Sequence, residues 1–191
     1  MTDEIKRIIR ESISVKTKIL ADEALIGQIG AVAELCINCF KNKGKILFCG
    51  NGGSAADAQH LAAELSGRFY KDRPPLYAEA LHVNTSYLTA VANDYAFEEV
   101  YARMIRAMGR PGDILFAIST SGNSRNILSA IEAAGEQGMM VVGMTGQGGG
   151  KMQGLCDYLL EVPSSDTPRI QESHILMGHI ICQLVEEGVF G

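Results

Sequence analysis

The chain reads as an α/β protein: a doubly wound, five-stranded parallel sheet preceded by two added helices. Three observations predict this. Short apolar runs bounded by glycine or turn residues recur at 45–50, 114–118, 139–144 and 158–162, with a weaker one at 78–83. Segments of helical length separate them, at 54–67, 85–109, 123–137 and 167–187. Residues 3–42 carry apolar positions at helical intervals and no strand-like alternation. Strand alternating with helix requires crossover connections, hence a mostly parallel sheet with helices on both faces.

Each element has its own reason. Ile5, Ile8, Ile9 and Ile13 form one apolar stripe, and Leu25, Ile29, Val32 and Leu35 a second, so residues 3–42 are a helix pair broken near Ala21 and Asp22. Gly44 then introduces Lys45-Ile-Leu-Phe-Cys-Gly50, a run apolar on both alternating faces, as in a strand covered by helices above and below. Ile114-Leu-Phe-Ala-Ile118, Met139-Met-Val-Val-Gly-Met144 and Tyr158-Leu-Leu-Glu-Val162 follow the same pattern. No repeat, low-complexity tract or linker interrupts the chain, and Gly148-Gly-Gly150 is too short to be one. We therefore expect a single domain over 1–191, with 3–42 available for oligomer contacts and 44–187 as the α/β core.

Composition excludes several classes. The 191 residues are 47% hydrophobic and 20% charged, as in an ordinary globular domain. With 17 Lys and Arg against 22 Asp and Glu, the net charge of −5 argues against nucleic-acid binding driven by bulk charge. No apolar run approaches the ~18 residues of a membrane span. Residues 1–10 mix Asp3, Glu4, Lys6 and Arg7 with isolated aliphatics, unlike a signal or transit peptide. A cytoplasmic location is expected. Cys36, Cys39, Cys49, Cys156 and Cys182 are odd in number, and the Cys36–Cys39 spacing lies in a helical pattern without a second pair. They read as buried structural thiols.

In an open parallel sheet, ligands bind beyond the carboxyl ends of the strands. After the first strand comes Gly50-Asn-Gly-Gly-Ser54, and after the third Ser119-Thr-Ser-Gly-Asn-Ser124, each opening into a helix. Glycine admits a ligand close to backbone N–H groups, serine and threonine add donors, and a helix N-terminus favours an anion. Turns and N-caps favour the same residue types. Two such loops at strand ends in one small domain favour a lysine-free phosphate cradle.

His60 and Glu64, at i and i+4, share a helical face one turn beyond the first loop. Gln171 and His179 lie eight apart, roughly on one face of the final helix. Two imidazoles, a carboxylate and an amide can surround a divalent metal or supply an acid and a base. An ordinary surface pair is the competing reading for His60 and Glu64, and the adjacent loop tips the balance. His174 lies off that face and reads as a packing residue; His82 has no role.

These segments resemble the sugar isomerase (SIS) domain family and, within it, the phosphoheptose isomerases. The similarity runs through 49–68, Ala92-Asn93-Asp94, 118–124, Gly148-Gly-Gly-Lys-Met152 and Thr167-Pro-Arg-Ile-Gln-Glu172. The resemblance implies a flavodoxin-like SIS fold and conversion of sedoheptulose 7-phosphate to glycero-manno-heptose 7-phosphate, feeding activated-heptose synthesis. It implies substrate contacts at Asn51, Gly52, Gly53, Ser54, Glu64, Arg68, Asn93, Asp94, Ser119, Thr120, Ser121, Ser124 and Gln171. It puts one zinc per subunit on His60, Glu64, Gln171 and His179, and a homotetramer with active sites at subunit contacts. Glu64 is the expected base and His179 its acid/base partner. A carboxylate held tightly by zinc is a poorer base, so either Glu64 leaves the metal during turnover or the zinc is structural or inhibitory. Some SIS relatives are non-catalytic adaptors, including a partner of the DnaA replication initiator; the acid/base pair here argues against that role. An isomerase of another phosphosugar is the remaining alternative.

Overall fold

The computed structural model describes residues 1–191 throughout. Two helices, α1 (Thr2–Ala21) and α2 (Glu23–Lys41), precede β1 (Ile46–Gly50), α3 (Gly53–Ser66), β2 (Ala78–Ala80) and α4 (Thr85–Asp94). There follow α5 (Val100–Met108), β3 (Ile114–Ile118), α6 (Arg125–Glu136), β4 (Met140–Thr145), β5 (Tyr158–Glu161) and α7 (Thr167–Phe190). All four strand pairings are parallel and the order is β2-β1-β3-β4-β5. This is the flavodoxin-like order, with its topological switch point between β1 and β3.

Side chains alternate across the sheet and feed two cores. Ile46, Phe48, Ile114, Phe116 and Ile118 join α2, α3 and α7 on one face. Leu47, Cys49, Leu115 and Ala117 join α4, α5 and α6 on the other. Every residue of β1 and β3 is buried, which is why these runs are apolar throughout. Four cysteines are buried, Cys156 is half-buried, and none forms a disulfide.

The two N-terminal stripes part company. Leu25, Ile29, Val32 and Cys36 of α2 enter the chain's own core beside α7. From α1 only Val15 and Ile19 do so, while Ile5, Ile9 and Ile13 remain more than half exposed. Polar contacts fasten α1 to α7: Ser12 Oγ donates to Glu172 at 2.6 Å and Arg169 Nη1 to the Ile8 carbonyl at 3.0 Å. α2 is also long and apolar enough, averaged over its length, to cross a bilayer. Gln28, Glu34 and Asn38 interrupt it, so its sequence holds no long unbroken apolar run.

One predicted helix is two. Residues 85–109 break at Tyr95 and the extended Ala96, and a short 3₁₀ turn, Phe97–Glu99, leads into α5. A straight 25-residue helix would run roughly 37 Å, far beyond a five-residue strand. The break turns the chain so that Tyr101 and Ile105 reach the sheet. The weak strand at 78–83 shortens to three residues, ending in a turn in which the Val83 N–H meets the Ala80 carbonyl.

Candidate active site

The two polar loops lie side by side at the carboxyl edge of β1 and β3. Reciprocal amide bonds of 2.8 Å between Asn51 and Asn126 join the first loop to α6. Tyr101 holds the same loop from beneath by donating its hydroxyl to the Gly50 carbonyl. In the second loop Ser119 Oγ and Ser124 Oγ are 3.1 Å apart, and the Asn123 N–H donates to Ser121 Oγ at 3.2 Å. Thr120 and Ser121, with Gln147, Ser164, Ser165, Thr167 and Ile170, line a cleft of about 200 Å³. The start of α7 therefore forms its far wall. The largest cavity, about 490 Å³, lies among Lys43, Lys45, Arg110 and Gly112 beside the amino ends of β1 and β3. That is the wrong edge of a parallel sheet for its ligand.

The second loop is braced by the chain after β4. Gly122 and Gly150 both have positive φ, at 64° and 58°. A Cβ at Gly122 would run into the Gly149 carbonyl, and one at Gly150 into that of Ser121. The Met152 N–H donates to the Gly122 carbonyl at 3.2 Å, and the Lys151 N–H to Asn123 Oδ1 at 3.1 Å. The triple glycine is thus a buttress of the loop. The sequence motifs name Thr167 but give no sign of this role, nor of the cleft residues Gln147, Ser164 and Ser165. Polar residues between β5 and a helix start are the signal that points to the last two.

A second constellation spans α3 and α7. His60 Nε2 and His179 Nε2 are 2.9 Å apart, and Glu64 Oε1 is 3.2 Å from His60 Nε2. The three ligand atoms lie within 4.8 Å of one another. Two nitrogens each about 2.05 Å from one tetrahedral zinc would be about 3.3 Å apart, so this donor set suits such an ion. The helices can approach because residue 178 is glycine: a Cβ there would come 2.6 Å from the Leu61 side chain. Phe69 adds an aromatic wall, its ring centroid 5.7 Å from that of His179.

Gln171 lies two turns before His179, its amide set against Gly53 at the start of α3. Ser54 is buried beneath the first loop, whereas Gly52 and Gly53 are exposed. Arg68, Asn93 and Asp94 are exposed, and Asn93 donates to Asp94 at 2.8 Å. His174 is fully buried, and its Nε2 donates to the Thr145 carbonyl at 3.1 Å, the packing role expected of it. Asp57, one turn before His60, was not anticipated: its Oδ2 is buried without a partner, and burial pushes its carboxyl up to about 6.

A family model of the SIS domain matches residues 9–146. The phosphoheptose isomerase of Aneurinibacillus thermoaerophilus is 56% identical over 190 residues, covering 100% of this chain and 96% of that one. The chain belongs to the phosphoheptose isomerases of the SIS domain family. Solved structures agree. That of a phosphoheptose isomerase from Neisseria gonorrhoeae superposes with a TM-score of 0.91 at 45% identity, covering 97% of this chain and 98% of that one. One from Francisella tularensis gives 0.93 at 39% identity, with the same coverage of both chains.

Proposed function

We infer that this isomerase interconverts sedoheptulose 7-phosphate and D-glycero-D-manno-heptose 7-phosphate. The observation that carries the reading is the meeting of Glu64 and His179 from different helices, in a chain that also carries two hydroxyl- and amide-rich loops at its strand ends and is 56% identical to a named phosphoheptose isomerase. The 119–124 loop takes the phosphate with hydroxyls and N–H groups, with the N-terminus of α6 behind it.

Glu64 removes a proton from C1 of the ketose. The C1–H electrons form the C1=C2 bond, and the carbonyl oxygen on C2 receives a proton from His179. Glu64 then returns the proton to C2, and His179 takes the O1 proton as the C1 aldehyde forms, which restores both groups. Each acid/base group is worth about 10²–10⁴-fold in rate. His60, Glu64, Gln171 and His179 would hold one zinc ion. When bound, zinc would supply Lewis-acid stabilisation of developing negative charge, on condition that Glu64 and His179 leave it while they transfer protons.

The active unit is a cytoplasmic homotetramer. The exposed isoleucines of α1 form its contacts, and Arg68, Asn93 and Asp94 complete sites across them. Contiguous apolar faces of this kind mark interfaces. Incubating the purified protein with sedoheptulose 7-phosphate and following the aldose tests the substrate; no product overturns it. Glu64→Gln keeps the shape and removes the base, so kcat should fall at least ~100-fold. Near-normal turnover would remove Glu64 from that role.

A further inference from the structure

The base candidate sits two residues from the end of α3, where helix carbonyls lack intrahelical partners and the backbone is prone to fray. Here those carbonyls are gripped by a single side chain. Arg73, in the loop that returns from α3 to β2, donates through Nη2 to the Glu64 carbonyl at 2.8 Å. Its Nη1 reaches the carbonyls of Leu65 at 2.7 Å and Gly67 at 3.1 Å. Its Nε donates to Glu186 at 3.0 Å, and both side chains are 2% exposed.

Glu186 stands on α7, two turns beyond His179. It does more than balance the guanidinium. Its carboxylate accepts from the N–H groups of Phe69, Tyr70 and Lys71 at 3.1, 2.8 and 2.7 Å. That fixes the loop whose Phe69 ring faces His179. Burial alone would raise the Glu186 carboxyl; the backbone bonds and Arg73 more than offset it and hold it below its ordinary value.

Resting on the isomerase reading, we propose that Arg73 and Glu186 form a positioning pair that sets the separation of Glu64 and His179 for proton transfer. One end of the pair holds the backbone of the residue bearing the base. The other belongs to the helix bearing its partner, and the loop between them presses an aromatic ring toward that partner. Only a planar guanidinium serves every carbonyl at once; a lysine ammonium keeps the charge but lacks the fork. The phosphate loop belongs to other elements, β3 and α6, and is untouched by the pair.

The test uses Arg73→Lys and Glu186→Gln in the full-length protein. A displacement of about 1 Å between reacting groups costs up to about 100-fold, so kcat should fall at least about tenfold in each. KM for sedoheptulose 7-phosphate should change less than about threefold, because phosphate binding is retained. A crystal structure of Arg73→Lys should show Glu64 and His179 displaced relative to wild type. Wild-type kcat in both variants, a loss carried by KM alone, or an unmoved Glu64–His179 pair would overturn the proposal. Failure of both variants to fold would do the same, marking the pair as a folding element. Wild-type protein inert toward this sugar would retire the substrate reading, and the variant's structure would still decide the positioning role.

Discussion

Acid should loosen this fold through one buried imidazole. His174 is fully buried, and its Nε2 donates to the Thr145 carbonyl while Nδ1 faces no partner. Burial pushes its pKa down to about 4, the Thr145 bond opposing the shift only in part. The unfolded chain, with an ordinary value of about 6.5, therefore binds the proton first as pH falls. Stability from this group is complete above about pH 6.5 and is lost as pH falls toward 4. The whole difference corresponds to about 3 kcal/mol, of which about 2 kcal/mol is gone by pH 5. Asp57 acts in the opposite sense: its carboxyl, raised to about 6, lets the folded chain bind the proton first, so this term stabilises as pH falls from 6 toward 4. Asp57 is half-solvated, so its share is smaller than the shift alone implies. Comparing wild type with His174→Gln isolates the imidazole, because Asp57 and every other group cancel. Chemical denaturation at pH 8 and pH 5, at one protein concentration, should show wild type losing about 2 kcal/mol more than the variant. Parallel losses would refute the account.

Three further outcomes follow from the site and the surface. Ser121→Ala should weaken binding of a phosphorylated sugar by about 10–150-fold, from about 1.5–3 kcal/mol for a hydrogen bond to a charged group, and leave unphosphorylated analogues nearly unaffected; isothermal titration with both ligands reads this, and equal losses would place the phosphate elsewhere. Elemental analysis of protein prepared with zinc should find about one ion per chain, and His60→Ala with His179→Ala should abolish it. Ile9→Asp with Ile13→Asp should reduce the assembly seen by light scattering together with activity, since both side chains are more than half exposed on the chain; a fully active monomer would contradict it.

The strands were legible because helices cover both sheet faces, which leaves nearly uninterrupted apolar runs such as Ile114–Ile118. The loops were legible because glycine and hydroxyl residues follow those runs directly. The break at Tyr95 was not. No proline or glycine marks it, and the apolar spacing continues through Phe97 and Tyr101, so only the length of the sheet beneath decides it. The i,i+4 relation placed His60 beside Glu64, but their meeting with His179 depends on how closely α3 approaches α7. That depends on Gly178, whose significance appears only once Leu61 is seen opposite. Likewise Val32 and Ile9 sit on similar stripes, and only the packing of α2 against α7 separates the core residue from the surface one. Asp57 lacked any signal, because burial of one carboxylate oxygen is a property of the packed helix rather than of its sequence.

The contact between residues 122 and 149–150 joins backbone to backbone, with no side chain to trim or exchange. For anyone redesigning the enzyme, it divides the cleft into fixed and editable positions. Gly122 and Gly150 cannot gain a Cβ without driving one loop off the other, so substitution there takes the loops apart instead of reshaping the cleft. Gln147, Ser164, Ser165 and Thr167 line the same cleft, and the close contacts of Gly122 and Gly150 involve none of them. A combinatorial library confined to those four positions would vary the size and polarity of the cleft while leaving the 119–124 loop intact.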